Sequence, residues 1–254
     1  MARALTPTSL HRSDLIRALT DLAVLDVGAS GNAFAEKLAQ WLGLNDAITL
    51  RAIHTTTPQG NPAKADPRSG AALRDVFLHA KAALSDSITQ TVSAKGTRPR
   101  LALPVLAPTV PLDAASTYEP FRRYHLAQQR QMETRIGPMR ANVRHSLGLA
   151  SPALKTLAEL DAVFDRVLCE QEGKLLARLP ALMAQRFVQL HKLHLHTLAQ
   201  TQQADQAAFW MAPGGWLGRF CHELQTVLLA ELDFRLQPTL GLIEALNPTN
   251  TPTQ

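Results

Sequence analysis

His191, His194 and His196 stand close together, and imidazole is a good zinc ligand. His191 and His194 are three apart and share a helical face, whereas His196, two from His194, points elsewhere. No cysteine or acid lies close in sequence to complete a site, so a solvated, basic helix end is expected. Cys221-His222-Glu223 places a thiol beside a base. Adjacent helical residues splay about 100° apart, however, and a nucleophile and its base must meet within hydrogen-bond reach. His222 to Thr226 begins like a zinc-protease helix but carries Thr226 where the second ligand belongs.

Asp161 and Asp165 lie one turn apart, while Glu231 and Asp233 do not face each other. No Glu-x-x-His occurs, which removes the ligand pattern of a di-iron bundle. Solvated faces are the expectation for these acids. Gly28 to Asn32 lacks the Gly-Lys-Ser/Thr of a phosphate loop and reads as a helix stop and restart. No catalytic, cofactor-binding or metal-ligating residue is assigned, and an enzyme is not expected.

Arginine is the more informative type. Between Pro120 and Ala150 stand six arginines against one acid, Glu133, a net of +5 that equals the formal charge of the whole chain. Placed at helical intervals, Arg122, Arg123, Arg130, Arg140 and Arg144 fall in one arc about 100° wide, with Arg135 off it. Guanidinium forks match carboxylates and phosphates bidentately, so this arc is the candidate surface for a partner or an anion. An acidic partner helix, nucleic acid or anionic lipid would each suit it. Few aromatics interleave with these arginines, and no helix-turn-helix or zinc pattern accompanies them, which counts against nucleic acid.

The elements that must carry these residues are helices. Phe121, Tyr124, Met132, Ile136, Met139, Val143 and Leu147 form an apolar arc opposite the arginines. Ser151-Pro152 is a start signal, a capping oxygen followed by proline at the first helical position. The stretch from Ser151 to Gln200 then keeps helical spacing through Leu154, Leu157, Leu160, Phe164, Val167 and Leu168. It resumes through Leu175, Leu176, Leu179, Leu182, Met183, Phe187 and Leu190. Unbroken it would span about 70 Å at roughly 1.5 Å per residue. Pro180 predicts a kink or break near Leu179, leaving one long helix or two.

Before this stretch, helices are expected over Ser9–Val27, around Phe34 to Leu42, weakly over Asp46–Ile53, and over Ala71–Val92. After it comes a connection from Thr201 to Gly215. A helix from Trp216 ended by Pro238 and a short helix with Leu242, Ile243 and Leu246 follow. No internal repeat and no second strand pattern emerge. The fold class is therefore all-α, an extended antiparallel helical bundle of long helices, with N-terminal helices joined by Pro-rich linkers. The expected organisation is an N-terminal helical region over 1–93 with a linker over 55–70, and a Pro-rich linker over 94–117. The main bundle then covers 118–246, with a disordered tail over 247–254. The two linkers make the N-terminal third look loosely attached.

The chain has 254 residues, 46% of them hydrophobic, enough for a sizeable core. Its pI is about 9.6. Cys169 and Cys221 offer no disulfide framework and suit a reducing compartment. Asp14, Arg17 and Asp21 interrupt any apolar segment near the start, so no signal peptide is expected. No run approaches the ~20 apolar residues of a membrane span. A cytoplasmic location follows as the expectation.

Three stretches carry a family resemblance: Phe34-Ala-Glu-Lys-Leu-Ala-Gln-Trp-Leu-Gly43; Tyr118-Glu-Pro-Phe-Arg-Arg-Tyr124 with Ile136-Gly-Pro-Met139; and Leu228-Leu-Ala-Glu-Leu-Asp-Phe-Arg-Leu-Gln-Pro238 with Gly241-Leu-Ile-Glu-Ala-Leu246. With them the chain resembles a bacterial family described only as a domain of unknown function. The resemblance implies genomic company with proton-channel-type inner-membrane proteins and an envelope protein of the peptidoglycan-anchoring type. It carries no functional residues. The expected function is a non-enzymatic helical adaptor or scaffold that binds a protein partner, on the cytoplasmic side of a membrane assembly, without a cofactor. The alternative is a nucleic-acid-binding protein using the arginine-rich helix over 120–147. Self-association through the long helices is compatible with both.

Overall fold

The computed structural model describes residues 14–22, 44–55, 67–89, 101–104, 106 and 114–246. The helix expected around Phe34 to Leu42, the Gly28–Asn32 segment and the tail from 247 lie outside them. Seven α-helices account for nearly all the rest: α1 (Asp14–Asp21), α2 (Leu44–Thr55), α3 (Pro67–Thr89), α4 (Ala114–Ala150), α5 (Pro152–Leu176), α6 (Leu179–Thr201) and α7 (Trp216–Leu246). A single 3₁₀ turn, Ala207–Phe209, lies in the α6–α7 connection. The protein is an all-α helical bundle. Among the described residues, no helix is long and apolar enough to cross a membrane.

Ser151 sets the first reversal. Its backbone is extended and its Oγ accepts from the Leu154 N–H at 3.2 Å, with Pro152 at the first helical positions. The chain thus folds α5 back along α4. At Ala177 and Arg178 the helical rod breaks, and α6 continues in the same sense past the start of α4. Of the two expected outcomes for the central stretch, two helices is the one observed. α7 then returns antiparallel to α6, bringing Phe220 against Phe187 and Trp216 against His191. Lastly, α3 runs antiparallel to both α4 and α7. Its end is tied down where Tyr124 Oη and Gln225 Nε2 both donate to the Ile88 carbonyl, at 3.1 and 3.0 Å. Those side chains satisfy an acceptor that a helix C-terminus leaves free.

Three fully buried rings, Phe121, Phe187 and Phe220, mark the centre of the core, with centroids 5.0 to 5.9 Å apart. The near-perpendicular Phe187–Phe220 and Phe121–Phe220 pairs set positive ring edges against negative faces. Leu15 and Leu19 of α1, Leu73, Phe77, Leu84 and Ile88 of α3, and Leu103 belong to the same core. α1 and α3 therefore pack into the core of the bundle. α2 covers the outer side of α5, with Ile53 against Val163 and Val167 and Arg166 bonded to Asp46 at 2.6 Å.

The prolines depart from expectation in an instructive way. Pro238 does not end its helix, which runs on to Leu246, and α4 passes through Pro120 and Pro138 and begins before Pro120, at Ala114. Likewise, α3 begins at Pro67, so both expected linkers give up their last residues to helix. Proline withholds the N–H that would serve the carbonyl four residues earlier. For Pro138 and Pro238 that carbonyl belongs to Thr134 and Phe234, on exposed turns where water can serve it. Pro180 is buried, and the carbonyl it would have served is that of Leu176, also buried. There the helix breaks, and Gln129 of α4 donates to the Leu176 carbonyl at 3.1 Å.

The same amide nitrogen donates to the Glu231 carboxylate at 3.1 Å. Both acceptors lie inside the bundle, so the Gln129 amide can satisfy them only with its nitrogen towards both. Replacing Gln129 by leucine keeps the volume and leaves two buried acceptors short of a donor. The expected cost is at least about 2 kcal/mol, by the usual penalty for unsatisfied buried polar groups. Urea unfolding followed by circular dichroism measures it as a lowered midpoint.

Candidate functional site

The arginine arc is split by the fold. Arg140 and Arg144 of α4 meet Asp161 and Asp165 of α5 across the Ser151 reversal. Arg140 grips Asp161 through Nε at 3.0 Å and Nη2 at 2.6 Å, and reaches Asp165 through Nη1 at 2.7 Å. Arg144 Nη1 adds bonds of 2.8 Å to Asp165 and 3.2 Å to Asp161. The four groups are spaced i, i+4 on each helix, so an antiparallel pair stacks them into a ladder. Asp161 and Asp165 are therefore not the solvated acids expected from spacing. Their charge is used inside the protein.

Glu231 corrects the same expectation, and Glu223 is buried in the same manner. Glu231 has no exposed surface and takes Gln129, Arg235 Nε at 2.9 Å, and His125, whose Nε2 lies 3.5 Å away. That last distance is long for a hydrogen bond and short enough for an ion pair. Burial works to raise the Glu231 carboxyl, and the His125 and Arg235 contacts outweigh it, holding it below its ordinary value. Glu223 accepts from Arg186 at 2.8 Å through each oxygen and from Arg219 at 3.0 Å. Its carboxyl is lowered in the same way, against burial, by those two arginines.

What remains of the arc is exposed. Arg122, Arg123 and Arg130 stand on the outer side of α4, where Arg122 reaches Glu119 only at 3.5 Å. Arg123 and Arg130 make no ion pair among the described residues.

Two of the three histidines, His191 and His194, are packed against Trp216 rather than solvated. His191 is buried, its ring 5.0 Å from that of Trp216, and burial holds its pKa below the ordinary value. His194 stacks on Trp216 at 6.0 Å and bonds Asp205 at 3.0 Å, and Asp205 also accepts from Trp210 Nε1 at 2.7 Å. Among the described residues, no group of three or more His, Cys, Asp or Glu could hold a metal ion. His196 is exposed. Cys221 is buried and its thiol is pushed up to about 12 by that burial, the reverse of an activated nucleophile.

Over this end of the bundle lies a cleft of about 380 Å³, between the last turns of α6 and the first turn of α7. Leu190, Leu193 and Thr197 form one wall, Phe209 and Pro213 the other, with Trp216 and Arg219 along the first turn of α7. Its geometry depends on two glycines. Gly214 has φ of +84°, which favours glycine, and a Cβ on Gly215 would sit 2.3 Å from the Phe209 and Trp210 carbonyl oxygens. The turn they make lets the Trp210 carbonyl accept from the Gly218 N–H at 2.9 Å, locking the 3₁₀ turn onto the start of α7.

A family model described as "Protein of unknown function (DUF3348)" matches residues 1–248. The chain belongs to that family. No curated protein and no solved structure gives a match. Membership therefore covers every described helix and assigns no reaction.

Sequence spacing placed the arginines on one face, yet it missed the cleft. Its walls come from two stretches of chain, 190–197 and 209–219, and the only early sign was Pro213-Gly214-Gly215 before an aromatic helix start. Two outcomes follow. Gly215→Ala lowers the melting temperature and shifts the Trp210 and Trp216 indole resonances in NMR spectra, because the added methyl meets backbone oxygens. Acid unfolding is the second. Glu231 and Glu223 have folded pKa values below the ordinary 4.5, so their stabilisation is full above that value and is lost as pH falls through the depressed ones. The urea midpoint should fall between neutral pH and about pH 3. A Glu231→Gln variant, weaker at neutral pH, should lose less over the same interval.

Proposed function

We propose that the protein is a non-enzymatic helical adaptor that binds an acidic surface of a protein partner through α4, on the cytoplasmic side of a membrane assembly. The observation that carries this reading is the division among the arginines. Arg140, Arg144, Arg186, Arg219 and Arg235 each have a carboxylate within the chain. Arg123 and Arg130 make no ion pair among the described residues, and Arg122 has only its distant Glu119. Arg122, Arg123 and Arg130, exposed together on one helix, offer a surface for carboxylates. The family resemblance supports the membrane assembly, with a proton-channel-type inner-membrane complex as the partner.

Tagged protein purified from its native cells, with and without nuclease, tests the reading against a variant carrying Arg122→Glu, Arg123→Glu and Arg130→Glu. These side chains are exposed, so circular dichroism should be unchanged. Membrane-complex proteins should survive nuclease with the native protein and fall by roughly tenfold or more with the variant. Equal recovery with the variant would remove the arginine surface from the proposal. Nucleic acid alone, with affinity falling linearly in log salt, would instead favour the nucleic-acid reading.

A further inference from the structure

The geometry points to a second docking site, the cleft between α6 and α7, which takes a bulky apolar side chain of a partner protein flanked by carboxylates. Leu193 is 57% exposed, Phe209 62% and Met211 46%, all at this one end of the molecule. Large apolar side chains gathered at a concave site mark a place where another apolar group is buried. A volume of about 380 Å³ accommodates one phenylalanine or leucine with part of its backbone.

Charge selects among occupants. Arg186 and Arg219 share the single Glu223 carboxylate, so one positive charge is left over. Arg186 and Glu223 are largely buried while the Arg219 side chain is 57% exposed, so the surplus falls on the cleft's rim. The nearby Asp205 is already held by His194 and Trp210. A carboxylate beside the anchor residue would meet Arg219; a lysine there would be repelled.

Trp216 lines the cleft and is 5% exposed, so its indole resonance reports on what binds there. The anchor side chain and its flanking carboxylate thus each find a counterpart.

The site uses none of the exposed α4 arginines, so it stands or falls separately from them. Protein labelled with ¹⁵N at tryptophan is titrated with a short peptide whose central Phe-Leu pair is flanked by glutamates, and with its lysine-flanked counterpart. A saturable shift of the Trp216 indole resonance is expected, with the glutamate peptide binding at least about threefold more tightly. Arg219→Gln should erase that preference. Leu193→Asp and Phe209→Asp, at exposed positions, should abolish binding while leaving circular dichroism unchanged, and Arg122→Glu should leave it intact. No saturable shift, or equal binding of the two peptides, overturns the inference. So does a Trp216 shift that follows protein concentration without peptide, since the occupant would then be a second copy of this chain.

Discussion

A buried proline that withholds one hydrogen bond shapes much of this molecule. Pro180 leaves the Leu176 carbonyl without its helical donor in a place water cannot reach, so a side chain from another helix must supply one. Gln129 does so and, with its second N–H, holds Glu231 of α7. One amide therefore fixes where α5 ends, how α4 is set against it, and where α7 lies along both. Tyr118 supports the same joint by donating to the Pro180 carbonyl.

With that register in place, the charges sort themselves. Asp161 and Asp165 come level with Arg140 and Arg144 because the α4–α5 reversal and the Gln129 joint fix the two ends of the same antiparallel pair. Buried carboxylates elsewhere, Glu223 and Glu231, are each surrounded by donors, as a low-dielectric interior demands. Arg122, Arg123 and Arg130 stand outside these arrangements, on the exposed side of α4. Their exposure, rather than their number, is what supports a binding role.

The end of the bundle is built differently. α6 overshoots the start of α4, so its last turns are covered by a loop rather than by a helix. Trp216 packs under that loop with His191, His194 and Trp210 around it. A helix partner would have filled the groove; a turn held by Gly214 and Gly215 leaves it open.

Sequence alone determined the all-α class, the apolar face of α4 and the Ser151 start signal, and it marked Pro180 as the place of a kink or a break. Each of these depends on neighbours within a turn or two, and helical periodicity records such relations directly. It misjudged Pro238 because whether a proline breaks a helix depends on whether the carbonyl it orphans faces water or core. It also took Asp161, Asp165 and Glu231 for solvated acids, since their partners lie in other helices. Gln129 and Glu231 are 102 positions apart. The tertiary structure alone decided which arginines stay exposed and that residues 190, 209 and 216 share one cleft, because pairing across helices follows from register, and register is set by packing rather than by spacing along the chain.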